Sequence, residues 1–465
     1  MAREAKSLYH LIDLREIRRA VLVAVAMVAI STTAARAAHN NLLAAALNSI
    51  TDDELYHHVE VLADDVYEGR GAGSRGGHAA AQYILEQLKP EGMTPAGDGG
   101  TFVQKFGDDC RNILVLLPGD DPVVDKEVIV VGAHYDHVGY GKSNNSFGPY
   151  GQIHNGADDN ASGTSVLLEL VQAFAKSGLK TRRSILFAFW DGEEKGLVGS
   201  RYWIEHPTLP LDRVKLDITI DMVGRMRDER LLVLGTRSGY GLRRLFCDAA
   251  DEPMWLDFSW EITANSDHWP FLERGIPIAL IHTGLHSDYH RPTDDVEKIN
   301  RAGMREASRY LLTSLIRVAN EERIPRYRAA GKRETEKMRR ALEEPMPAAS
   351  LATWPASLPR PRLGITWRED EAEPGSVLLT RVIEGTPAAD AGLQPGDRID
   401  DFDGQPFTDG TALRTAIHAL LDAGRPEFTM LVERRGHMRT ATLRMGSDNG
   451  QESRAESLEL EGGKP

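Results

Sequence analysis

The chain has 465 residues, of which 41% are hydrophobic and 27% are charged, and its formal net charge is −14. This length predicts two folded units with processing or linker segments, and the composition is that of a globular protein with a sizeable core. The negative charge argues against nucleic acid as a partner and against a basic membrane-binding surface.

The N-terminal segment has the pattern of a secretory signal peptide. Three arginines between residues 15 and 19 precede the apolar run Ala20–Ile30, and Ala35–Ala37 has the small residues of an A-x-A cleavage site. The run is too short to span a bilayer comfortably, so we expect no stable membrane span after cleavage. We expect residues 1–37 to be removed and the mature protein to be periplasmic or secreted; a retained N-terminal anchor is the alternative.

The chain has two cysteines, Cys110 and Cys247. Export would permit a disulfide between them, because disulfides persist in oxidising compartments. Nothing in the sequence brings the two residues together, so we expect them to remain free thiols.

From residue 52 to about residue 105, the pattern predicts a helix, a loop and a second helix. Leu55–Leu62 and His78–Leu88 have helical spacing, and the intervening Tyr67–Gly77 is rich in glycine and arginine. A glycine-rich loop beside a helix can bind phosphate, but this one lacks the spacing and the Lys-Ser/Thr pair of a P-loop. We therefore expect a structural cover over the functional edge of the domain.

Short apolar runs with little alternation are typical of strands that are buried on both faces. Four such runs are Val128–Gly132, Ile185–Trp190, Leu216–Ile220 and Ile276–Ile281. Helical patterns at Ser162–Lys176, Gly239–Asp251 and Ala302–Glu321 alternate with them, and Cys110–Leu117 is predicted to pair with the strand at Val128. The fold class is therefore α/β, with a mixed, mostly parallel sheet between helices.

Acids and histidines follow the predicted strands, at the edge where open α/β sheets bind ligands. They are His134 and Asp136, then Glu193 and Glu194, then Asp221, and later His290, with Asp159 in a Gly-rich turn before a helix. Imidazole and carboxylate are ligands of zinc-type cations, and a bridging carboxylate suits two ions about 3.5–4 Å apart. Adjacent glutamates cannot point the same way, so we expect one to be a ligand and the other a base.

The order of five motifs resembles the co-catalytic dizinc aminopeptidases, a family that includes secreted bacterial leucine-type aminopeptidases, glutamate carboxypeptidase and glutaminyl cyclase. The resemblance covers roughly residues 52–320. The motifs are His-x-Asp from His134, Gly-Ala-Asp-Asp-x-Ala-Ser-Gly from Gly156, Glu-Glu-x-Gly-x-x-Gly-Ser from Glu193, Asp-Met-x-Gly from Asp221 and Tyr-His-x-Pro-x-Asp from Tyr289.

The resemblance implies two Zn²⁺ ions per chain and assigns a role to each residue. One zinc would be held by His134, Asp159 and Asp221, and the other by Asp159, Glu194 and His290, with Asp159 bridging beside a cis peptide bond to Asn160. Glu193 would be the general base, and Asp136 would hold the other ring nitrogen of His134. His268 is either a substrate contact or a core histidine. We expect the remaining candidates not to be ligands: His137, His154, His282 and His286.

The implied activity is removal of N-terminal residues from peptides. Glu193 would take a proton from a water shared by the ions and pass it to the leaving amine. Glutaminyl cyclase-like acyl transfer and a carboxypeptidase of the same family are alternatives, and a binding scaffold without catalysis is a third. The implied partners are peptide or protein substrates with free N-termini.

The C-terminal part is predicted to be a separate domain. Residues 38–321 would form the metallopeptidase domain, 322–358 a helical and Pro/Ala-rich linker, and 447–465 a disordered tail. Residues 359–446 resemble a PDZ domain, with a helix at Thr411–Leu421. Leu363, Gly364 and Ile365 fit the loop that binds a peptide C-terminus while the peptide adds a strand. A packing module that shields or positions the peptidase remains equally open.

Overall fold

The computed structural model describes residues 37–88, 93–107, 109–247, 254–359 and 362–445. The predicted signal peptide falls almost wholly within residues 1–36 and the predicted tail within 447–465, so both predictions lie outside the described residues. Among the helices described, none combines the length and the apolar character that a membrane span needs.

The larger sheet, within the described part of the chain, has nine strands in the order β1-β3-β5-β4-β6-β9-β7-β8, with β2 paired to β3. The strands are β1 (Thr94–Pro95), β2 (Val103–Phe106), β3 (Cys110–Leu117), β4 (Val128–His134), β5 (Ser184–Trp190), β6 (Val214–Ile220), β7 (Arg230–Leu234), β8 (Trp255–Ser259) and β9 (Ile278–His282). The central strands β5, β4, β6 and β9 run parallel to one another. Every residue of β4 and β5 is buried, as their uninterrupted apolar runs predicted.

The predicted pairing of β3 with β4 is wrong, because β5 lies between them. Ile113 of β3 faces Phe189 of β5 in an antiparallel pair, and the same Phe189 faces Ala133 of β4 in a parallel pair. Parallel strands need a long crossover, here through a helix between β4 and β5. The crossover therefore places β5 between β3 and β4.

Helices cover both faces of this sheet. They are α1 (37–49), α2 (Asp52–Leu62), α3 (Arg75–Gln87), α4 (Gly163–Ser177), α5 (Val198–Glu205), α6 (Leu242–Phe246), α7 (His268–Glu273) and α8 (Arg301–Asn320). The main core lies between the sheet and α2, α4 and α8, and a second core around Trp190, Trp203 and Phe271 lies under α5 and α7. The helix predicted at Gly239–Asp251 is shorter, because Cys247 leaves helical geometry. Both cysteines are buried.

The second sheet has the order β10-β12-β13-β14-β15, with β11 paired to β12. Its elements are β10 (Ala349–Ser350), β11 (Ile365–Glu369), β12 (Val377–Glu384), α10 (Pro387–Asp390), β13 (Arg398–Phe402), α11 (Gly410–Asp422), β14 (Glu427–Arg434) and β15 (His437–Arg444). The segment predicted as a linker contains helix α9 (Glu336–Glu343), as its charged pattern predicted. It also supplies β10, which pairs in parallel with β12, so it is partly built into this sheet.

Buried polar contacts join the two sheets' domains. Arg243 of α6 meets Glu433 of β14 through two hydrogen bonds of 3.1 Å. Arg237 donates to both carboxylate oxygens of Asp370 at 2.9 and 2.8 Å. The second domain is therefore docked on the first through ion pairs rather than only tethered to it.

Candidate metal centre

The predicted site residues meet at the carboxyl edge of the parallel strands. His134 is the last residue of β4, and Asp221 directly follows β6. Glu193 and Glu194 lie in a 3₁₀ turn just after β5, and Asp159 lies in a distorted turn before α4. Since β4, β5 and β6 run in the same direction, their ends deliver these side chains to one crevice.

Two clusters of candidate metal ligands share the side chain of Asp159. In the first cluster, His134 Nε2 lies 3.4 Å from Asp159 Oδ1 and 3.5 Å from Asp221 Oδ1. In the second, His290 Nε2 lies 3.1 Å from Asp159 Oδ2 and 3.2 Å from Glu194 Oε2. The two oxygens of Asp159 thus face different clusters, which is what a bridging carboxylate requires.

The donor set fits zinc-type ions. Imidazole nitrogen and carboxylate oxygen bind Zn²⁺ at about 2.0–2.2 Å, so two atoms on one tetrahedral ion lie roughly 3.3 Å apart or slightly more. The four distances between ligand atoms, from 3.1 to 3.5 Å, are close to this value. Asp159 Oδ2 and Asp221 Oδ1 are also buried without a hydrogen-bond partner among the described residues. Buried carboxylate oxygens are costly unless they are paired or coordinated, so both clusters fit metal ions.

Contacts from neighbouring elements hold the turn that carries Asp159. The peptide bond between Asp159 and Asn160 is cis, as the resemblance implied. Asp294 Oδ2 accepts hydrogen bonds from the amides of Asp158 and Asp159, both at 3.0 Å. The side chain of Asn160 donates to the carbonyl oxygen of Ile220 at 2.9 Å, which ties the turn to the end of β6.

Asp136 has a different main contact from the one predicted. Its carboxylate accepts the backbone N–H of Glu193 at 3.1 Å and that of Glu194 at 3.3 Å. His134 Nδ1 lies 3.1 Å from the carbonyl oxygen of Asp136 and 3.7 Å from its carboxylate. The carboxylate therefore holds the Glu-Glu turn, whereas the backbone of the same residue orients the His134 ring. No spacing rule in the sequence signals this link.

The electrostatic surroundings distinguish Glu193 from the ligands. Burial raises the pKa of Glu193 well above its ordinary value, His134 lowers it, and the carboxylates of Glu194, Asp267 and Asp221 raise it further. A general base works best when its pKa lies near the operating pH, so this shift suits a carboxylate that accepts and returns a proton.

Comparison with known proteins places these clusters in a family. Residues 112–315 match the model of peptidase family M28, and residues 378–434 match that of the PDZ domain. The chain carries an M28 peptidase domain and a PDZ domain. The crystal structure of the Legionella pneumophila LapA aminopeptidase is 22% identical, with a TM-score of 0.51, and the match covers 61% of this chain and 76% of that one. It agrees with the mixed, mostly parallel sheet of the M28 domain.

Curated relatives match mainly over the M28 domain. Leupeptin-inactivating enzyme 1 of Streptomyces exfoliatus is 26% identical over 239 residues, which are 49% of this chain and 47% of the relative. Aminopeptidase YwaD of Bacillus subtilis is 28% identical over 246 residues, 51% of each chain. A probable leucine aminopeptidase of Trichophyton verrucosum is 25% identical over 57% of this chain and 73% of its own length. The chain spans about half the length of the first two.

The other histidines of the M28 domain lie outside the two shared-ligand clusters, with the exception of His137. His286 Nε2 lies 3.1 Å from Asp158 Oδ2, and Asp158 directly precedes Asp159. His268 is 1% exposed, and its Nε2 lies 3.0 Å from the carbonyl oxygen of Thr263. Burial lowers the pKa of His268 to about 4, so the structure favours the core histidine over the substrate contact. Contacts away from the clusters are also made by His154 and His282.

His137 is brought closer to the metal ligands than we expected. It belongs to a group of possible ligands with Asp159, Glu194 and His290. Its Nδ1 lies 2.8 Å from Glu194 Oε1. Its place directly after Asp136 was the only signal in the sequence.

Arg70 is the second residue that sequence reasoning missed. It is fully buried, and it donates to the carbonyl oxygens of Tyr135 at 2.8 Å, Leu62 at 2.7 Å and Asn155 at 2.5 Å. Burial lowers its pKa to about 10 although nearby carboxylates raise it. Its guanidinium therefore holds the chain segments on either side of the ligands, and its position in the Gly/Arg loop bears out a structural cover.

The glycines of that loop permit close backbone contacts. A Cβ atom at Gly69, which has a φ of +65°, would lie 2.4 Å from the carbonyl oxygen of His154. One at Gly76 would lie 1.8 Å from the carbonyl oxygen of Tyr67. These glycines therefore allow the cover to pack closely against the candidate metal centre.

Proposed function

We propose that the protein is an exported zinc-dependent aminopeptidase that releases N-terminal residues from peptides. The observation that carries the proposal is the pair of ligand clusters that share Asp159, with Glu193 beside them at the edge of an M28 fold. Two of the relatives described above are named as aminopeptidases, which supports the reaction class.

Each cluster would hold one ion, so the proposal is two Zn²⁺ per chain. His134, Asp159 and Asp221 would bind one, and Asp159, Glu194 and His290 the other. When bound, such ions polarise a carbonyl group and lower the pKa of a water molecule. The chain's own contribution is to fix the ligand carboxylates, and Asp159 presents one oxygen to each cluster.

Glu193 would be the general base. It would accept a proton from the attacking water and return it to the departing amine, so that its carboxylate ends the cycle as it began. Asp136 positions this residue by accepting its backbone N–H at 3.1 Å. The raised pKa of Glu193 makes its carboxylate a stronger base toward the proton of the water.

The charges around the crevice favour the amino end of a peptide. Glu193 lies beside the clusters and is not one of the ligands that would neutralise the ions, so its carboxylate would attract a substrate ammonium group. A carboxypeptidase would need a cation for the substrate carboxylate. Two arginines of this domain are already engaged elsewhere. Arg70 donates to backbone carbonyl oxygens, and Arg225 donates to Asp288 at 3.1 Å. Glutaminyl cyclase chemistry, which the resemblance associates with one zinc, is less well supported by two complete clusters.

We further propose that the PDZ domain binds a peptide C-terminus at Leu363, Gly364 and Ile365. Among the strands described, β11 pairs only with β12, which leaves its other edge for an added strand. The ion pairs that join the PDZ domain to the M28 domain also support the packing role, and the two roles are compatible.

The experiment uses the mature chain from Ala38, with measurement of its metal content and of its hydrolysis of aminoacyl reporter substrates with and without a chelator. We expect about two zinc ions per chain and chelator-sensitive release of an N-terminal residue. Glu193→Gln should keep the metal and the fold but lose roughly 10²–10⁴-fold in turnover. The control is Glu205→Gln, at an exposed position that ends α5. Full activity of Glu193→Gln would refute the assigned base.

Export needs its own measurement. The basic residues, the apolar run and the A-x-A site of the N-terminal segment support it. Fractionation of cells that express the full chain, with mass spectrometry of the N-terminus, should find a protein that begins near Ala38 outside the cytoplasm. An intact N-terminus in the membrane fraction would instead establish the retained anchor.

A further inference from the structure

His137 and His290 contact different oxygens of the same carboxylate. Nδ1 of His137, whose side chain is fully buried, lies 2.8 Å from Glu194 Oε1. Oε2 of Glu194 lies 3.2 Å from His290 Nε2. The carboxylate is thus divided between His137 and His290, of which only His290 was assigned above as a ligand.

The distances separate a hydrogen-bond donor from a metal ligand. Atoms on one tetrahedral zinc lie roughly 3.3 Å apart, as do the ligand atoms of both clusters. The 2.8 Å between His137 Nδ1 and Glu194 Oε1 is shorter, and it is the usual length of a hydrogen bond from N–H to a carboxylate. His137 Nδ1 is also 3.7 Å from Asp159 Oδ2, farther than His290 Nε2 at 3.1 Å.

The second ring nitrogen leads to the same conclusion. A metal-binding histidine almost always donates its other N–H to a carboxylate, a carbonyl or water. His137 Nε2 is buried and has no hydrogen-bond partner in the part of the chain that the structure describes. If Nδ1 bound a metal, the proton would be on Nε2, where it has no acceptor. With the proton on Nδ1, the donor faces a carboxylate.

Neighbouring groups fix the orientation of the His137 ring. Its backbone N–H donates to the carbonyl oxygen of Arg70 at 3.2 Å. A Cβ atom at Gly156 would lie 2.5 Å from His137 Cδ2, so the glycine backbone lies directly against the ring. The His290 ring meets it edge-on, with centroids 5.5 Å apart. The ring therefore has little freedom to turn Nδ1 away from Glu194.

We propose that His137 is a positioning residue that donates its Nδ1–H to Glu194 Oε1 and reserves Oε2 for the second metal site. Glu194 is thereby a ligand through one oxygen, and its other oxygen cannot rotate into the site. This inference rests on the proposed metal binding, and it goes beyond it by separating His137 from the ligands.

Two substitutions distinguish the roles. In His137→Asn the amide nitrogen can occupy nearly the position of Nδ1 and keep the donor, whereas His137→Leu removes it. Metal-free proteins are titrated with Zn²⁺ against a chromophoric chelator, and the absorption spectrum of the Co²⁺-loaded proteins reports coordination. His57→Leu is the control, since the His57 side chain is 64% exposed.

We expect His137→Leu to weaken one of two binding events about 10–100-fold, the usual effect of losing a group that orients a ligand. The other event should stay unchanged, which shows that the domain is folded. His137→Asn should remain within a few-fold of wild type, with the same Co²⁺ spectrum. Wild-type affinity in His137→Leu would refute the positioning role, and a changed spectrum with equal losses in both variants would make His137 a ligand. A wild-type chain that binds no metal would refute the proposed function itself.

Discussion

Replacing Arg243 with leucine should weaken the junction between the M28 and PDZ domains. The guanidinium of Arg243 makes two hydrogen bonds of 3.1 Å to Glu433, and only 2% of the Glu433 side chain is exposed. It also lies 4.0 Å from the ring centroid of Phe258. Both ions are therefore removed from water and compensated mainly by each other across the junction.

The size of the destabilisation depends on which contacts the remaining charged side chain would keep. Breaking a buried ion pair by removing one partner costs about 3–5 kcal/mol. In Arg243→Leu, Glu433 keeps the Gly436 amide at 2.6 Å, and Arg398 is 4.0 Å away, so we expect about 3 kcal/mol. Glu433→Leu should cost a similar amount. The double variant leaves no unpaired ion, so its cost should be about 1 kcal/mol or less, because hydrophobic replacement of a buried pair is often neutral.

The assay is a double-mutant cycle by urea unfolding, with the transition of each domain followed separately because a two-domain chain need not unfold in one step. The control is the Arg362–Asp422 pair, whose side chains are 64% and 71% exposed. Its rupture should cost less than about 1 kcal/mol. The reasoning would be refuted if the single variants of the buried pair lost as little free energy of unfolding as the control variants. It would also be refuted if the two single losses simply added in the double variant.

Three further predictions concern the junction and the site. Burial raises the pKa of Glu433 but Arg243 and Arg398 lower it to a net value below the ordinary 4.5, so its stabilisation is complete above pH 4.5 and is lost as the pH falls further. Urea unfolding of wild type and Glu433→Gln between pH 7 and 3 should therefore converge at the acid end; a constant difference would contradict this. Gly76→Ala should give little folded protein on size-exclusion chromatography, because its Cβ would lie 1.8 Å from a carbonyl oxygen; a normal yield would refute the cover's close packing. Asp136→Asn should weaken metal binding about 10–100-fold in a chelator competition, since an amide cannot accept both N–H groups of the Glu-Glu turn; unchanged affinity would contradict that role.

The parallel centre of the sheet and the ligand clusters were predictable because two independent signals agreed. Uninterrupted apolar runs marked strands buried on both faces, and acids or histidines followed each run. The order of residues along the chain placed the acids and histidines at one edge of the sheet, whereas the grouping of His134, Asp159 and Asp221 came from the family resemblance. It did not reveal the amide contacts of Asp136 or the contact of His137, because these depend on the adjacency of β4 and β5, where His134 faces Trp190.

The parts of the fold that were not predicted lack such agreement. β7 and β8 are five residues each, and runs of this length cannot be assigned by periodicity alone. The pairing of β3 was wrong because the crossover through α4 places β5 beside it. Residues 349–350 gave no strand signal, since two residues carry no alternation, and their pairing with β12 is set by the second domain.

The candidate metal centre is a crowded set of acids and histidines within the M28 fold. Three carboxylates converge on three imidazoles. Burial lowers the pKa of His290, whereas Asp159 and Glu194 raise it to about 10. Arg70 is fully buried and donates its hydrogen bonds to backbone carbonyls, while its positive charge interacts with carboxylates that include Asp159 and Glu194. Like charges held at short range destabilise a folded chain unless cations offset them. The contacts that crowd these acids would therefore make a metal-bound state the electrostatically favoured one, and the hydrogen bonds of Arg70 help to hold the chain segments around it.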